Sequence, residues 1–306
     1  MKDQAQKLRD IVKNNNKAVK WDITQSDPFT TTEEVVDKTR VITVTSGKGG
    51  VGKTNFTINL GIALAKMGYK VTILDADLGL ANIDVVIGLI PQFTLANVFR
   101  KEKSLEEVIV EGPKGVRIIS GGSGLKELVD MSEEQLIDLV DNLKVIGKSS
   151  DFILIDTGAG INNAVLTFVN AGTEVILITT PEPTSITDAY AMIKNIVADD
   201  KDKLIRLLIN RVESNEEGIS IYNKINNASH RFLNITIQKL GFLYDDPIVS
   251  KSVKAQQPFL ISYPNSLISQ GIESIASRLV NESNTEVMNV SGLKRFIHKL
   301  MSNYKK

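Results

Sequence analysis

The chain has 306 residues, of which 42% are hydrophobic, and its 36 basic and 36 acidic side chains give a formal net charge of zero. This length and composition support a full core in one or two domains, and the neutral balance gives no reason to expect a nucleic-acid-binding surface. There is no cysteine, which excludes disulfides, a cysteine nucleophile and a cysteine-held iron–sulfur cluster. No apolar run approaches the roughly 20 residues of a membrane span and the N-terminus lacks a signal-peptide core, so we expect a cytoplasmic protein.

The N-terminal tail differs in composition from the remainder. Ala5, Leu8 and Val12 recur at helical spacing, which predicts a short, weakly amphipathic helix. Clusters of Asn and Thr then give a linker-like composition. We divide the tail into an N-terminal peptide, residues 1–20, and a linker, residues 21–39. Composition alone fits a disordered tail equally well.

A phosphate-binding loop follows the first predicted strand, residues 41–45. Residues 47–54 match the pattern G-x-x-x-x-G-K-[ST], and a helical pattern begins directly afterwards, which is the context that the motif requires. Main-chain N–H groups of such a loop close around phosphate oxygens, while Lys53 contacts the β- and γ-phosphates and the Thr54 hydroxyl ligates Mg²⁺. The alternative is a Gly-rich turn that matches by chance. The predicted nucleotide-binding residues here are Gly47, Gly49, Gly50, Val51, Gly52, Lys53, Thr54 and Asn55.

Lys48 is a second lysine inside this loop. It resembles the deviant phosphate loop of the MinD/ParA family, in which the early lysine extends across a dimer to the partner's phosphates. Two lysines beside one triphosphate are consistent with an arrangement in which each subunit contributes one of the two positive charges. A solvated loop charge is the alternative.

Carboxylates follow the next predicted strand, residues 71–74, which comes after a helix predicted at residues 55–66. The carboxyl ends of parallel strands form the crevice where α/β sheets bind ligands. We therefore predict Asp75 as a metal ligand and expect Asp77 to face the nucleotide. Ordinary strand-end caps are the alternative for Asp77 and Asp84.

A second acidic motif follows the apolar strand at residues 152–155. Asp156 after such a strand is the Walker B arrangement, in which the carboxylate holds Mg²⁺ directly or through water. The motif is weak alone and gains specificity from the phosphate loop upstream. Gly158 and Gly160 would let the backbone approach the γ-phosphate. The elements predicted between the acidic motifs are a helix and turn at residues 95–110, a strand at 115–119 and a helix at 131–146.

The next strands end near a possible base-binding site. A strand at residues 174–179 leads into Thr184 and Ser185, whose hydroxyls we expect to cap a helix. A sixth strand stops at Asn210 and Arg211, where an amide suits an adenine edge and a guanidinium can stack on the ring. A turn-forming Asn is the alternative. The remaining core elements are predicted at residues 235–243 and 265–280.

The C-terminal segment, residues 291–306, follows a polar linker at 283–290 and contains basic but no acidic residues. Its apolar residues recur at i, i+3, i+4, i+7 and i+8, which predicts one stripe on a helix. A basic amphipathic helix after a linker is typical of a membrane-surface anchor that contacts anionic headgroups. A helix docked on the core or on a partner is the alternative, because short isolated helices are marginal in water. The predicted membrane-contacting residues are Leu293, Phe296, Ile297, Leu300 and Met301.

Nearly the whole chain resembles the FlhG group of the MinD/ParA family, also called FleN or YlxH, whose members are ATPases that regulate flagellar number and placement. The deviant loop, the acidic segments at 75–84 and 156–160 and the basic C-terminal helix are shared with MinD generally. Three features favour FlhG, namely Asn55, the segment 181–190 and an N-terminal element that resembles the family's D-Q-A-x-x-L-R motif.

The resemblance implies an α/β P-loop NTPase fold over residues 40–282, with a mostly parallel central sheet flanked by helices on both faces. It implies slow hydrolysis of ATP to ADP in a face-to-face homodimer, in which Lys48 extends to the opposite site and Asp77 orients the attacking water. Thr54 and Asp156 would hold Mg²⁺. Such hydrolysis depends on positioning and charge stabilisation rather than on covalent chemistry.

The resemblance also implies partners. The family's N-terminal element binds FlhF, the flagellar GTPase of the signal-recognition-particle type, and stimulates its GTP hydrolysis. Other family partners are the flagellar switch proteins FliM and FliN/FliY, an anionic membrane surface and, in some bacteria, the transcription factor FleQ. The residues that correspond to the FlhF-binding element are Asp3, Gln4, Ala5, Leu8 and Arg9.

Three other functions are weighed against this one. A division-site MinD is the same kind of ATPase, but its chain ordinarily begins almost at the strand before the phosphate loop. The N-terminal extension therefore argues against it. A ParA-type DNA-partitioning ATPase needs a basic face, which zero net charge disfavours. A nucleotide-sensing scaffold with negligible hydrolysis is disfavoured by the intact Lys48, Lys53, Asp77 and Asp156.

Overall fold

The computed structural model describes residues 39–77, 83–122, 145–281 and 292–303, and Asp37–Lys306 form one compact unit. The N-terminal peptide, residues 21–38 of the first predicted linker, the whole second linker and most of the helix predicted at 131–146 lie outside the described residues. None of the described helices is long and apolar enough to cross a membrane.

The described strands form one eight-stranded sheet in the order β3-β4-β2-β5-β1-β6-β7-β8. The strands are β1 Arg40–Ser46, β2 Val71–Ala76, β3 Ile109–Glu111, β4 Arg117–Ser120, β5 Phe152–Ala159, β6 Glu174–Thr179, β7 Leu204–Val212 and β8 Gln238–Tyr244. The helices are α1 Lys53–Lys66, α2 Ile83–Ile87, α3 Leu95–Phe99, α4 Leu105–Val108, α5 Asn163–Ala171, α6 Pro183–Asp199, α7 Asn215–Leu233, α8 Pro247–Lys254, α9 Phe259–Ser262, α10 Leu267–Asn281 and α11 Gly292–Asn303.

The strand pairs are parallel except for the edge pair β3–β4. Helices cover both faces, so the central strands are apolar on both sides; Val41, Ile42 and Val44 of β1 are completely buried. This architecture confirms the predicted fold class. In the register of β2 and β5, Asp75 lies opposite Asp156, which places both acidic motifs at the carboxyl edge of the sheet.

Some local predictions differ from the structure. The edge strand β3 and the long helix α7 were not predicted from the sequence. The hydroxyl cap expected for α6 is wrong. Helix α6 has Pro183 in its first turn, its N-cap Glu182 makes no side-chain capping bond, and the Ser185 hydroxyl instead accepts a hydrogen bond from the Thr180 N–H at 3.1 Å. Proline at this position is pre-organised for a helix start, so the hydroxyl cap is dispensable.

The C-terminal helix α11 packs on α5 and β1. Its apolar stripe is buried in a cluster with Phe168 of α5, in contrast to the exposed anchor that the sequence predicted. Burying a large apolar side chain gains about 1.5–3 kcal/mol, which explains why a short helix docks rather than remaining in water. The structure therefore shows the alternative of a helix docked on the core. The side chain of Met301 lies outside the described residues, and the buried members of the stripe are Leu293, Phe296, Ile297 and Leu300.

Candidate functional site

The phosphate loop connects the buried strand β1 to helix α1, which begins at Lys53. Gly50 and Gly52 have φ values of 75° and 99°, a region that glycine adopts without the steric cost of a side chain. At Gly52 a Cβ would also lie 2.5 Å from the Asn210 amide nitrogen. Glycine at position 52 is therefore required both by the backbone and by the approach of β7.

Lys53 is buried at the start of α1. Burial lowers the pKa of its ammonium group, while the nearby carboxylates of Asp156 and Asp77 act in the opposite direction. A phosphate in the loop would supply negative charge to a cation that has lost most of its hydration.

Asp156 is a buried carboxylate, and both of its oxygens are held by hydroxyl groups of α1. Oδ2 accepts a hydrogen bond from Thr54 at 2.7 Å, and Oδ1 accepts one from Thr57 at 3.1 Å. Burial raises the pKa of Asp156 to about 6, although the Thr54 hydrogen bond and the charge of Lys53 oppose the shift. A threonine hydroxyl and a carboxylate are hard oxygen donors of the kind Mg²⁺ prefers, so these residues fit the ion. Thr57 was not predicted from the sequence.

Asp75, beside Asp156, is also buried. Its Oδ1 accepts a hydrogen bond from the Asp77 N–H at 3.1 Å, and its Oδ2 accepts one from the Ile83 N–H at 3.3 Å. Burial, followed by repulsion from Asp156, raises the pKa of Asp75 to about 7. In this structure Asp75 holds backbone groups on both sides of residues 78–82, and its metal ligation stays a prediction.

Asp77 lies beside the second glycine motif. A Cβ at Gly158 would lie 3.2 Å from Asp77 Oδ1, so the missing side chain lets β5 approach this carboxylate closely. Asp84 is at the start of α2, where burial raises its pKa and the Ser120 hydroxyl donates a long 3.5 Å hydrogen bond to it. Asp77 is thus brought to the nucleotide edge, whereas Asp84 contacts β4.

Lys48 is held within its own chain. Its Nζ lies 2.5 Å from Glu182 Oε2 and 2.9 Å from the Thr184 hydroxyl, both at the start of α6. The hydrogen bond from Lys48 lowers the pKa of Glu182. Gly47 allows this contact, because a Cβ there would lie 2.4 Å from the backbone of Asp188 in α6. The contact between the deviant lysine and α6 was not predicted from the sequence.

A cavity of about 630 Å³ adjoins the loop. It is lined by Asn55 and by Asn210 and Arg211, the two residues for which base binding is a prediction, and also by residues 244–247, which were not assigned to a site from the sequence. Asn210 donates a 2.7 Å hydrogen bond to the Val51 carbonyl, so its amide holds the loop in this structure. Asp245 and Asp246, which directly follow β8, could have indicated that residues 244–247 line this site, because β8 also ends at the ligand-binding edge of the sheet.

The described residues contain no group of three or more His, Asp or Glu side chains that could hold a metal. Mg²⁺ needs few protein ligands where phosphates and water complete its shell. The pair of Thr54 and Asp156 is consistent with that kind of site.

Comparisons with known proteins agree with this geometry. The ParA family model, described as NUBPL iron-transfer P-loop NTPase, matches residues 37–280. Antiactivator FleN of Pseudomonas aeruginosa is 42% identical over 240 residues, which cover 78% of this chain and 86% of FleN. The flagellum site-determining protein YlxH of Helicobacter pylori is 37% identical over 266 residues, which cover 86% of this chain and 90% of YlxH.

The chain belongs to the MinD/ParA family, in its FleN/YlxH branch. It is accordingly a P-loop ATPase, which converts ATP and water to ADP and phosphate. The chain contains no cysteine, so it has no cysteine ligands for an iron–sulfur cluster.

Solved structures of MinD/ParA proteins share the fold. A chain of the MinC:MinD cell division complex of Aquifex aeolicus aligns with a TM-score of 0.66 and 26% identity, over 79% of this chain and 96% of that one. The septum site-determining protein MinD of Pyrococcus horikoshii, complexed with Mg-ADP, aligns with a TM-score of 0.64 and 27% identity, over 81% of this chain and 100% of that one.

Proposed function

We propose that the chain is an ATP-driven switch that regulates the number or placement of bacterial flagella. The observation that carries this proposal is the ranking of its relatives. Identity is 42% to FleN and 37% to YlxH, but 34% to the septum site-determining MinD of Synechocystis. Division-site placement is the second candidate, because MinD proteins share the fold and the site.

In the proposed reaction the loop glycines and Lys53 bind the phosphates of ATP. Thr54 and Asp156 would hold Mg²⁺, which when bound neutralises charge on the β- and γ-phosphates. Asp77 orients the attacking water, and its closeness to Gly158 supports this role. The buried Lys53 stabilises the charge that develops on the phosphates.

ATP is proposed to close a face-to-face homodimer. Lys48 would leave Glu182 and Thr184 and bind the partner's phosphates. The Lys48–Glu182 pair is exposed to solvent, and exposed pairs contribute little to stability. Exchange of one carboxylate for a triphosphate is therefore favourable, and it couples nucleotide state to association.

Membrane binding is proposed to require release of α11 from α5 and β1. Lys299 pairs with Asp200 in the docked state, and release would free both the lysine and the apolar stripe for anionic headgroups. One such helix binds weakly, so a dimer that presents two would bind with higher avidity. The proposed location is the cytoplasm and the inner face of the cell membrane.

The proposed partners follow from the FleN/YlxH branch. The N-terminal element with Gln4 would bind and stimulate the GTPase FlhF, folding as it binds. FliM, FliN/FliY and FleQ are further proposed partners. No nucleic-acid partner is proposed, given the neutral charge balance.

The test is complementation in two bacterial strains, one lacking its FleN-type protein and one lacking MinD. We expect the full-length chain to restore flagellar number in the first strain and to leave septum placement uncorrected in the second. Lys48→Ala, expressed at the same level, should restore neither. Correction of septum placement without any effect on flagella would assign the chain to division instead.

A further inference from the structure

Thr57 lies one turn after Thr54 on α1 and is completely buried. Its hydroxyl oxygen is 3.1 Å from Asp156 Oδ1 and 3.0 Å from the Lys53 carbonyl oxygen. Residues three apart share a face of a helix, so Thr54 and Thr57 present their hydroxyls to the same strand. Each hydroxyl bonds a different oxygen of one carboxylate.

We propose that Thr57 is a positioning residue for Mg²⁺, acting through Asp156. A carboxylate held at one oxygen can still rotate about its terminal torsion, whereas hydrogen bonds to both oxygens fix its plane. Thr54 and Thr57 supply those two bonds from a single helix. The proposal rests on the Mg²⁺ site of the proposed function, because orientation of Asp156 matters only if that carboxylate serves the ion.

Buried threonines in helices often bond the carbonyl four residues earlier, and the contact with Lys53 has that form. A hydroxyl has one hydrogen, however, and both neighbouring oxygens are acceptors, so Thr57 can donate fully to one of them. An ionised carboxylate is the stronger acceptor. The bond to Asp156 is therefore the favoured one whenever that group is charged, as it is when it serves a cation.

The experiment compares Thr57→Val, which keeps the shape and removes the hydroxyl, with Thr57→Ser, which keeps the hydroxyl. Thr43→Val is the matched control, because Thr43 is equally buried and donates to the Phe168 carbonyl at 3.1 Å, away from Asp156. The affinity of the full-length chain for fluorescent ADP is measured first in excess EDTA and then at rising Mg²⁺ concentration. Melting temperatures report whether each variant folds, and Thr57→Ala replaces Thr57→Val if the latter does not.

We expect all variants to bind ADP alike in EDTA. In Thr57→Val the Mg²⁺ concentration for half-maximal effect should rise about 10-fold or more, the usual consequence of losing an outer-shell hydrogen bond, while Thr57→Ser and Thr43→Val match wild type. An unchanged Mg²⁺ response in Thr57→Val, or an equal loss of ADP affinity with and without Mg²⁺, would overturn the role of Thr57. Wild type with no Mg²⁺ response would instead overturn the metal site itself.

Discussion

Replacing Gly147 with alanine should release the C-terminal helix without nucleotide. Gly147 is buried beneath α11, where a Cβ would lie 2.1 Å from the Cδ2 atom of Leu293 and 3.4 Å from its Cγ atom. Leu293 is only 3% exposed, so its side chain has little free space in which to move. Either Leu293 adopts another rotamer or the whole helix shifts outward.

The size of the effect follows from the cost of overpacking. Adding a methyl group to a filled core costs typically 1–3 kcal/mol, and we expect about 1–2 kcal/mol because the clashing methyl is the end of a side chain. A change of that size raises the undocked fraction by roughly 5- to 30-fold. Gly147 lies in a helical stretch at residues 145–148, where alanine favours the backbone more than glycine does, so the substitution should not weaken that stretch itself.

Hydrogen exchange of residues 292–303 and co-sedimentation with anionic vesicles measure this fraction. The matched background is Leu293→Ala, which removes the clashing atoms and leaves its Cβ 3.7 Å from the new methyl, an ordinary contact. Gly147→Ala should therefore accelerate exchange in wild type and have no further effect in Leu293→Ala. Equal acceleration in both backgrounds, or none in either, would refute the docking argument.

Three further outcomes are expected. Lys48→Ala should retain ATP binding but lose hydrolysis and remain monomeric with ATP, measured by phosphate release and light scattering. Because the pKa of Asp75 is raised to about 7, above its usual value near 3.8, the folded state takes up a proton that the unfolded chain does not. The free energy of unfolding without nucleotide should therefore rise as the pH falls from about 8 to about 6, with Asp75 contributing at most roughly 1.4 kcal/mol per pH unit, and Asp75→Asn should reduce the slope by that contribution. A peptide of residues 1–20 should stimulate GTP turnover by FlhF, and Gln4→Ala in that peptide should reduce the stimulation.

Each outcome has its control. Lys66→Ala removes a lysine that pairs with Glu273 outside the site, so it should leave ATP turnover unchanged; normal turnover in Lys48→Ala would contradict the role of the deviant lysine. Asp199→Asn at an exposed position should keep the pH slope, and a slope that survives Asp75→Asn belongs to another group. A peptide without any effect on FlhF would give the division-site function equal standing.

The parts of the site that were predictable from sequence are local. The phosphate loop is contiguous in sequence, and the strand and helix that flank it lie within about twenty residues. The alternation of apolar strands with helical patterns likewise identifies the fold class. Asp156 was recognised because it follows an apolar strand downstream of a phosphate loop, and that loop makes specific a motif that is weak alone. These motifs depend on backbone geometry that neighbouring residues determine.

The missed features depend on distant pairs or diluted patterns. Thr57 and Asp156 are 99 residues apart, and Lys48 and Glu182 are 134 apart, so no local pattern reveals that either pair meets. Helix α7 was missed because its buried positions include Gly218 and Ser229, which weaken the apolar periodicity. The burial of α11 could not be predicted because its apolar stripe fits two apolar environments equally well, the protein core and a membrane surface.

Helix α5 connects the two halves of the proposed cycle. It begins directly after the segment that contains Gly158 and Gly160, and the Asn162 side chain accepts a hydrogen bond from the Val165 N–H at 2.9 Å to start the helix. The same helix supplies Phe168 to the cluster that buries α11. A shift of the glycine segment towards a γ-phosphate would therefore move the surface on which α11 docks. By thermodynamic linkage, any partner or membrane that holds α11 away from that surface must in turn favour the nucleotide state that shifts the glycine segment.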